Sequence, residues 1–225
     1  MTLSVATALR SNGLANCLFV LHFALVRGMG SNQPIFWLFY AGAICGLVVA
    51  PYVLVQAYAF SRECYGEHAA SWCNAFLPNV YGHVQAKYWN VGLLRYFQLR
   101  QLPNFLLAAP ALGIVCWGTS SFAHAILADW HRRRSDGKQS IGSALLEWHL
   151  LPHVAHWSAL SAFLFLCANV QVTTRVLAAA CPIHHWCTAA LLNSTSGNTR
   201  WCLRVYIVLW NVIGVVMHPN FLPWT

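Results

Sequence analysis

Long apolar runs separated by short polar stretches organise this chain. The first run, Leu14 to Val26, is short for a bilayer crossing, and Leu3 to Leu9 extends it across Arg10-Ser11-Asn12-Gly13. Pro34 to Phe60 is long enough to cross, since ~30 Å of hydrocarbon takes about 20 helical residues. Pro51 removes one backbone hydrogen bond and is expected to bend that helix. Ser61 to Leu102 reads as a polar loop, Asn104 to Ala128 as a crossing, and Asp129 to Glu147 as a basic loop. His149 to Ala180 holds the next crossing, Cys181 to Arg200 reads as a second polar loop, and Leu203 to Met217 nearly completes a last helix. Pro219 and Pro223 forbid its continuation. A secretory signal peptide fits the N-terminus poorly, because nothing basic precedes the first apolar residues and no small-x-small site follows. The pattern predicts an all-α, polytopic transmembrane protein of about five spans. Residues 1–225 read as a single transmembrane domain, with no repeat or linker dividing it.

Composition removes the soluble alternative. Of 225 residues 58% are hydrophobic and only 8% are charged, against about 25% charged in soluble domains. The net charge is +8, and its densest cluster is Arg132-Arg133-Arg134 with Lys138, between two apolar runs. Basic residues beside spans favour the cytosolic face, and no nucleic acid is expected as a partner. Arg27 then falls on the cytosolic side as well. On that orientation Ser61–Leu102 and Cys181–Arg200 both face the opposite compartment. Asn193-Ser194-Thr195 is a glycosylation sequon, usable only where a loop faces the secretory lumen, and it agrees.

From Lys87 to Phe105 the chain is neither span nor ordinary loop. Tyr88, Trp89, Tyr96 and Phe97 alternate with Lys87, Arg95 and Arg100, and an apolar run begins after Pro103. Tyrosine and tryptophan favour the headgroup layer. Lysine and arginine lay apolar stems along it and keep their charge wet. The stretch reads as lying at the membrane surface, either as an aromatic-basic anchor or as a holder of a lipid-linked phosphate. Arg10 also has two readings. A guanidinium at the edge of an apolar run costs about 2.5–3.5 kcal/mol, so it either snorkels or, with Ser11 and Asn12, holds a phosphate or sugar hydroxyl.

Other candidates are weaker. His149, His153 and His156 share one helical face. No Asp, Glu or Cys joins that stripe and Pro152 disturbs it, so they read as packing or interfacial histidines, as do His184 and His185. Neither a metal nor a cofactor is expected. Cys64/Cys73 and Cys181/Cys187 can each close a small loop in an oxidising lumen, and the pairing is not readable from sequence. Cys17, Cys45, Cys116 and Cys167 lie in apolar runs as small hydrophobes. Acid–base chemistry needs a positioned carboxylate. The predicted lumenal loops offer only Glu63 and Glu67, with Asp129, Asp136 and Glu147 on the cytosolic side, and no catalytic pair emerges. A small-solute transporter is disfavoured, since beyond Arg10 only His22 and His124 are ionisable groups placed mid-span.

Tyr88-Trp89-Asn90-Val91-Gly92, followed by Gln101-Leu102-Pro103-Asn104-Phe105-Leu106-Leu107-Ala108-Ala109-Pro110, resembles the GPI mannosyltransferase 2 family. The Arg10-Ser11-Asn12-Gly13 turn, Trp72-Cys73, Val84-Gln85 and the terminal Asn220-Phe221-Leu222-Pro223-Trp224-Thr225 resemble it in the same order. The resemblance implies the C-terminal part of a GT-C type glycosyltransferase in the endoplasmic-reticulum membrane. It would add the second, α-1,6-linked mannose to a mannosylated GPI lipid from dolichyl-phosphate mannose, beside an accessory membrane subunit. The family's acidic residue, thought to act as base, lies ahead of the Arg-Ser-Asn-Gly turn, so no catalytic residue is carried over. Binding roles are expected of Arg95, Arg100 and Lys87 toward the donor phosphate, and of Trp89 and Tyr96 toward prenyl chain or sugar. Asn90 and Gln101 would hydrogen-bond hydroxyls, with Arg10 and Asn12 in the other turn. The alternative is a non-catalytic multispan subunit or truncated remnant of that enzyme.

Overall fold

A computed structural model describes residues 2–65, 69–135 and 141–217. Glu67, Asp136, Lys138 and the Asn220–Thr225 motif lie outside them, as do the side chains of Asp129, Arg132, Arg133, Arg134, Glu147 and His149. Among the described residues all regular structure is helical. Five helices are long and apolar enough to cross a membrane, over Ser11–Met29, Pro34–Glu63, Leu99–Ala128, Leu150–Cys167 and Gly197–Val216. The all-α polytopic expectation therefore holds. The chain divides into two compact units, Met1–Val91 and Gly92–Thr225.

In the first unit, α1 (Thr2–Leu9) ends before a 3-10 turn (Ser11–Asn16), and α2 (Cys17–Met29) and α3 (Pro34–Glu63) follow. Val20 and Ala24 of α2 bury against Ala41 of α3, with Leu3, Trp37, Ile44 and Cys45 around them. Small residues at such a seam let helices approach, which is the main source of packing energy where lipid is as apolar as leucine. The apolar run through Leu3 and Leu14 is thus two helices, not one. The break at Arg10 is held tightly: its N–H donates to Ala6 and its carbonyl accepts from Gly13 N–H. A Cβ on Gly13 would lie 2.5 Å from the Thr7 nitrogen and 2.6 Å from the Ala6 carbonyl carbon. Backbone atoms cannot yield there, so the last position of the Arg-Ser-Asn-Gly turn must be glycine. α3 continues unbroken through Pro51. Its end is tied by the Cys64–Cys73 disulfide, Cα atoms 5.5 Å apart, to a 3-10 turn (Ser71–Asn74). Trp72 is buried there beside Phe60. α4 (Val80–Trp89) closes the unit.

In the second unit, α5 (Leu102–Ser135) and α6 (Ile141–Cys167) run antiparallel. Phe105 near the start of α5 meets Phe165 near the end of α6, and further on Thr119 Oγ1 lies 2.8 Å from Ser158 Oγ. Trp157, fully buried, lies over Gly118, where a Cβ would sit 2.9 Å from its ring and 2.8 Å from Cys187 Sγ. The chain then folds as α7 (Thr173–Ala180), α8 (Pro182–Ser194) and α9 (Gly197–Met217). The expected polar loop Cys181–Arg200 is therefore mostly helix. Its polar residues misled because Ile183, His184, Cys187 and Leu191 form a packed stripe at helical spacing. Cys181 and Cys187 are both free thiols, each packed into the α5–α6 core. The disulfide expectation is met at Cys64/Cys73 and fails at Cys181/Cys187.

Replacing Gly13 by alanine is expected to cost about 1–3 kcal/mol through overpacking, seen as a lowered melting temperature in detergent. Gly113→Ala, which meets nothing within 4 Å, should leave it unchanged or slightly raised. Closing the Cys64–Cys73 loop should contribute about 2–4 kcal/mol. Two additional thiols should react with a maleimide only after reduction of the denatured chain, and a count that reduction leaves unaltered would refute the pairing.

Candidate functional site

The first unit holds one polar network around the Arg-Ser-Asn-Gly turn. Ser11 Oγ lies 2.6 Å from Tyr81 Oη, and the Tyr81 ring meets Tyr52 of α3 edge-on at 6.0 Å. Asn79 Oδ1 accepts from Tyr52 Oη, Gln56 Nε2 and the Gly82 N–H at 2.8–3.2 Å, which makes Asn79 the N-cap of α4. Gln56 Oε1 accepts from Val80 N–H at 2.9 Å. An asparagine N-cap satisfies an otherwise orphaned helix donor, and here it also hangs α4 from α3. Sequence reasoning missed Tyr52, Gln56 and Asn79. The Pro78-Asn79 pair ahead of an apolar-periodic segment was the available signal.

That anchoring sets where the motif residues fall. Arg10 is exposed in extended backbone, φ −149° and ψ 137°, and Asn12 is half-buried beside Gly13. At the other end of α4, Lys87, Tyr88, Trp89 and Asn90 are all exposed. The Lys87 ammonium sits 5.5 Å from the centre of the Tyr88 ring. Asn90 takes a left-handed conformation, φ 52° and ψ 28°, and ends the helix. Asparagine tolerates that conformation better than most residues, so this position has a backbone reason for its identity apart from any hydroxyl it would bind.

The second unit carries the rest. Residues 92–101 lie across the end of α6 because Gly92 N–H donates to Cys167 and Leu94 N–H to Leu166, at 2.8 and 2.7 Å. Those carbonyls sit in the last turn of α6, where no helical partner remains. The Tyr96 ring is buried with Ala108 and Val170, and Phe97, Phe105 and Phe165 stack mutually at 5.1–5.9 Å. Asn104 Nδ2 donates to Tyr96 Oη at 2.8 Å and to Gln101 Oε1 at 2.7 Å. Burial pushes the Tyr96 phenol above its ordinary range, against the lowering effect of the Asn104 bond. With Tyr96 pinned inward, Arg95 and Arg100 face outward and exposed. The Arg95 stem folds over Gly92, where a Cβ would lie 2.7 Å from its Cδ. Among the described residues no carboxylate pairs with either arginine.

The structure thus gathers Arg95, Arg100 and Gln101 on one fixed segment of the second unit, with Asn104 as the support that sequence reasoning left out. Arg10 and Asn12, and separately Lys87, Trp89 and Asn90, belong to the first unit. The two histidines of the stripe whose side chains are described pack: His153 meets Trp186, and His156 Nδ1 lies 3.8 Å from Cys181 Sγ. His184 is buried edge-on against Trp157. Asn193 is exposed in the last turn of α8, its carbonyl accepting from Arg200.

Apolar helices of crossing length, with exposed aromatic and cationic residues fixed at the end of an antiparallel pair, define a multi-pass membrane protein. Sequence comparison gives the family. The model of the mannosyltransferase (PIG-V) family matches residues 1–225, and the chain belongs to that family. GPI alpha-1,6-mannosyltransferase 2 of Rattus norvegicus is 30% identical across 99% of this chain and 60% of its own length. The protein of the same name from Homo sapiens is 28% identical across 98% of this chain and 60% of its own length. GPI mannosyltransferase 2 of Aspergillus fumigatus is 32% identical across 98% of this chain and 53% of its own length. The chain spans about 60% of the length of the mammalian relatives it matches. No solved structure matches it.

If Asn104 couples Tyr96 to Gln101, Asn104→Ala should cost about 1–3 kcal/mol by removing a donor from a buried hydroxyl. It should also speed amide exchange at Gln98 and Gln101. In the Tyr96→Phe background the same substitution should cost less. Strict additivity in a double-mutant cycle would deny the coupling.

Proposed function

We propose that this chain carries the donor-phosphate face of a mannosyltransferase that attaches the second, α-1,6-linked mannose of a GPI precursor in the endoplasmic-reticulum lumen. The observation that carries the reading is the outward pair Arg95 and Arg100, met by no carboxylate among the described residues, on a segment pinned to the start of α5 and the end of α6. A phosphate at headgroup depth is well matched by guanidinium groups, which bind it with charge-assisted, often bidentate hydrogen bonds. The relatives' names supply the sugar and linkage, and dolichyl-phosphate mannose supplies a donor whose phosphate lies at that depth. A mannosylated GPI lipid is the acceptor and an accessory membrane subunit the partner. The Cys64–Cys73 disulfide fits a lumenal position for the end of α3, since such bonds persist in oxidising compartments.

The roles divide by chemistry. Arg95 and Arg100 neutralise the phosphodiester and hold it at the membrane surface, while exposed Leu99 between them meets the prenyl chain. Gln101, oriented by Asn104, offers its amide to a sugar hydroxyl. Within the first unit, Lys87, Trp89 and Asn90 at the end of α4, and Arg10 and Asn12 in the other turn, are separate candidates for holding a phosphate or sugar hydroxyl. No residue is assigned as base.

Dolichyl phosphate binding to the purified chain tests the arginines without requiring turnover. The Arg95→Ala, Arg100→Ala double variant should raise Kd by at least tenfold, since hydrogen bonds to charged groups are worth about 1.5–3 kcal/mol each. Leu99→Ser should shift it much less. In cells lacking the activity, the double variant should also restore surface GPI-anchored marker less well than the unsubstituted chain. An unchanged Kd discards the phosphate role.

A further inference from the structure

We infer that α7 and α8 together form one interrupted membrane crossing, so that the Asn193-Ser194-Thr195 turn lies on the opposite side of the membrane from residues 92–101. The inference concerns the second unit alone and does not depend on the enzymatic reading.

The depth of each contact can be counted along α5 and α6. Val170, just before α7, packs with Tyr96 and Ala108 at the level where α5 begins and α6 ends. Cys181 then reaches His156, eleven positions back from Cys167 and about 16 Å along the α6 axis. Cys187 reaches Gly118, ten positions and about 15 Å beyond Ala108 on α5. The first count puts the junction between α7 and α8 near the middle of the hydrocarbon, and the second keeps Cys187, six residues further on, at that mid-bilayer level. Within α8 the partners step toward the start of α6: His184 meets Trp157, and Trp186 meets His153, one helical turn nearer that start. A hairpin returning to its own side would carry Trp186 back toward Leu160 and Leu164. Together α7 and α8 rise about 30 Å, the thickness of the hydrocarbon.

The interruption has the form such a break must take. Pro182 has no N–H, so the carbonyl of Ala178, four residues earlier, loses its helical donor. His185 Nε2 lies 2.9 Å from that oxygen and donates to it, which assigns the proton to Nε2. Inside lipid every backbone group needs such a partner, and neighbouring side chains are how broken helices find one. Cys181, with φ −125° and ψ 93°, is the one non-helical residue between the two halves. At the far end, Arg200 Nε donates to Thr195 and its terminal nitrogen to Asn193, closing α8 with a cation at its negative pole.

Charge gives an independent argument. No acid occurs between Trp148 and Thr225; of the three arginines there, Arg175 is exposed in the first turn of α7, near the level of Val170, while Arg200 and Arg204 stand in the first turns of α9. An interrupted crossing places both with the Arg132–Arg134 cluster at the end of α5, where the positive-inside tendency puts them. The alternative leaves the polar run from Asn193 to Arg200 either at mid-bilayer or on the side with fewer cations. The sequon then lies on the side opposite the aromatic-basic face, and Asn193 carries no N-glycan when that face is lumenal.

Cysteine labelling in sealed and selectively permeabilised microsomes tests this on the full chain. Ser196→Cys and Leu99→Cys alter exposed positions, and the unsubstituted chain, whose free cysteines lie in or beside the spans, gives the background. An impermeant maleimide should label the two from opposite sides. Labelling of Ser196→Cys from the same side as Leu99→Cys, or from neither side, overturns the inference. So does an endoglycosidase H-sensitive shift that Asn193→Gln abolishes while Leu99→Cys labels from the lumen.

Discussion

The carbonyls that end α6 need donors, and the amides of Gly92 and Leu94 supply them. Near hydrocarbon an unpaired carbonyl costs several kcal/mol, so this pair of bonds decides where the whole aromatic-basic segment lies. To make its bond Leu94 adopts φ 57°, a conformation that a bulky residue rarely takes. Its side chain gains nothing in exchange, being half-exposed. The strain is offset elsewhere, by the ring cluster of Phe97, Phe105 and Phe165 and by the burial of Tyr96. Strain of this kind persists only where surrounding contacts over-determine the backbone. Arg95 and Arg100 are presented outward because the residues around them have no freedom to turn.

Glycine carries a complementary constraint. At Gly13 the neighbouring helix backbone, and at Gly118 a tryptophan ring and a thiol, occupy the space a side chain would need. One position holds the Arg-Ser-Asn-Gly turn against α1, and the other lets α8 reach the α5–α6 seam. With no hydrophobic gain from leaving lipid, close approach is what makes these contacts favourable. The turn that carries exposed Arg10 is therefore fixed by packing at a residue with no chemistry of its own.

The spans were legible because a run of about 20 consecutive apolar residues matches the thickness of the hydrocarbon and exceeds what a soluble core helix needs. Crossing helices appear over 34–63, 99–128, 150–167 and 197–216 much as hydropathy placed them. The Arg-Ser-Asn-Gly break and the Cys181–Arg200 segment were read less well, for related reasons. Leu3 to Val26 looked continuous because hydropathy does not register a short 3-10 turn. Cys181–Arg200 looked like a loop because histidine, threonine and asparagine lower its hydropathy, although every third or fourth residue of α8 faces the core. At the candidate site, the arginines expected to meet the donor phosphate, Arg95 and Arg100, are exposed and meet no carboxylate among the described residues. Residue type was less informative about Asn90, where a left-handed backbone explains the asparagine. Asn79 and Asn104 were invisible because their roles depend on partners that only the fold brings near.

The break at Pro182 shows how polar residues can belong to a crossing without binding anything. Counted by composition, His184, His185 and Thr188 argue against a membrane position. Counted by partners, two of them argue for it: His185 serves the carbonyl that Pro182 leaves open, and Thr188 donates to His184 at 2.7 Å. His184 itself packs its ring on Trp157. Were this segment in water, solvent would satisfy the Ala178 carbonyl and a histidine there would gain little, since a bond replacing one to water nets only about 1 kcal/mol. Hydrocarbon removes that competitor and makes the same bond necessary. The imidazole seven residues beyond the carbonyl it serves is therefore better evidence of depth than the hydropathy of the residues between them.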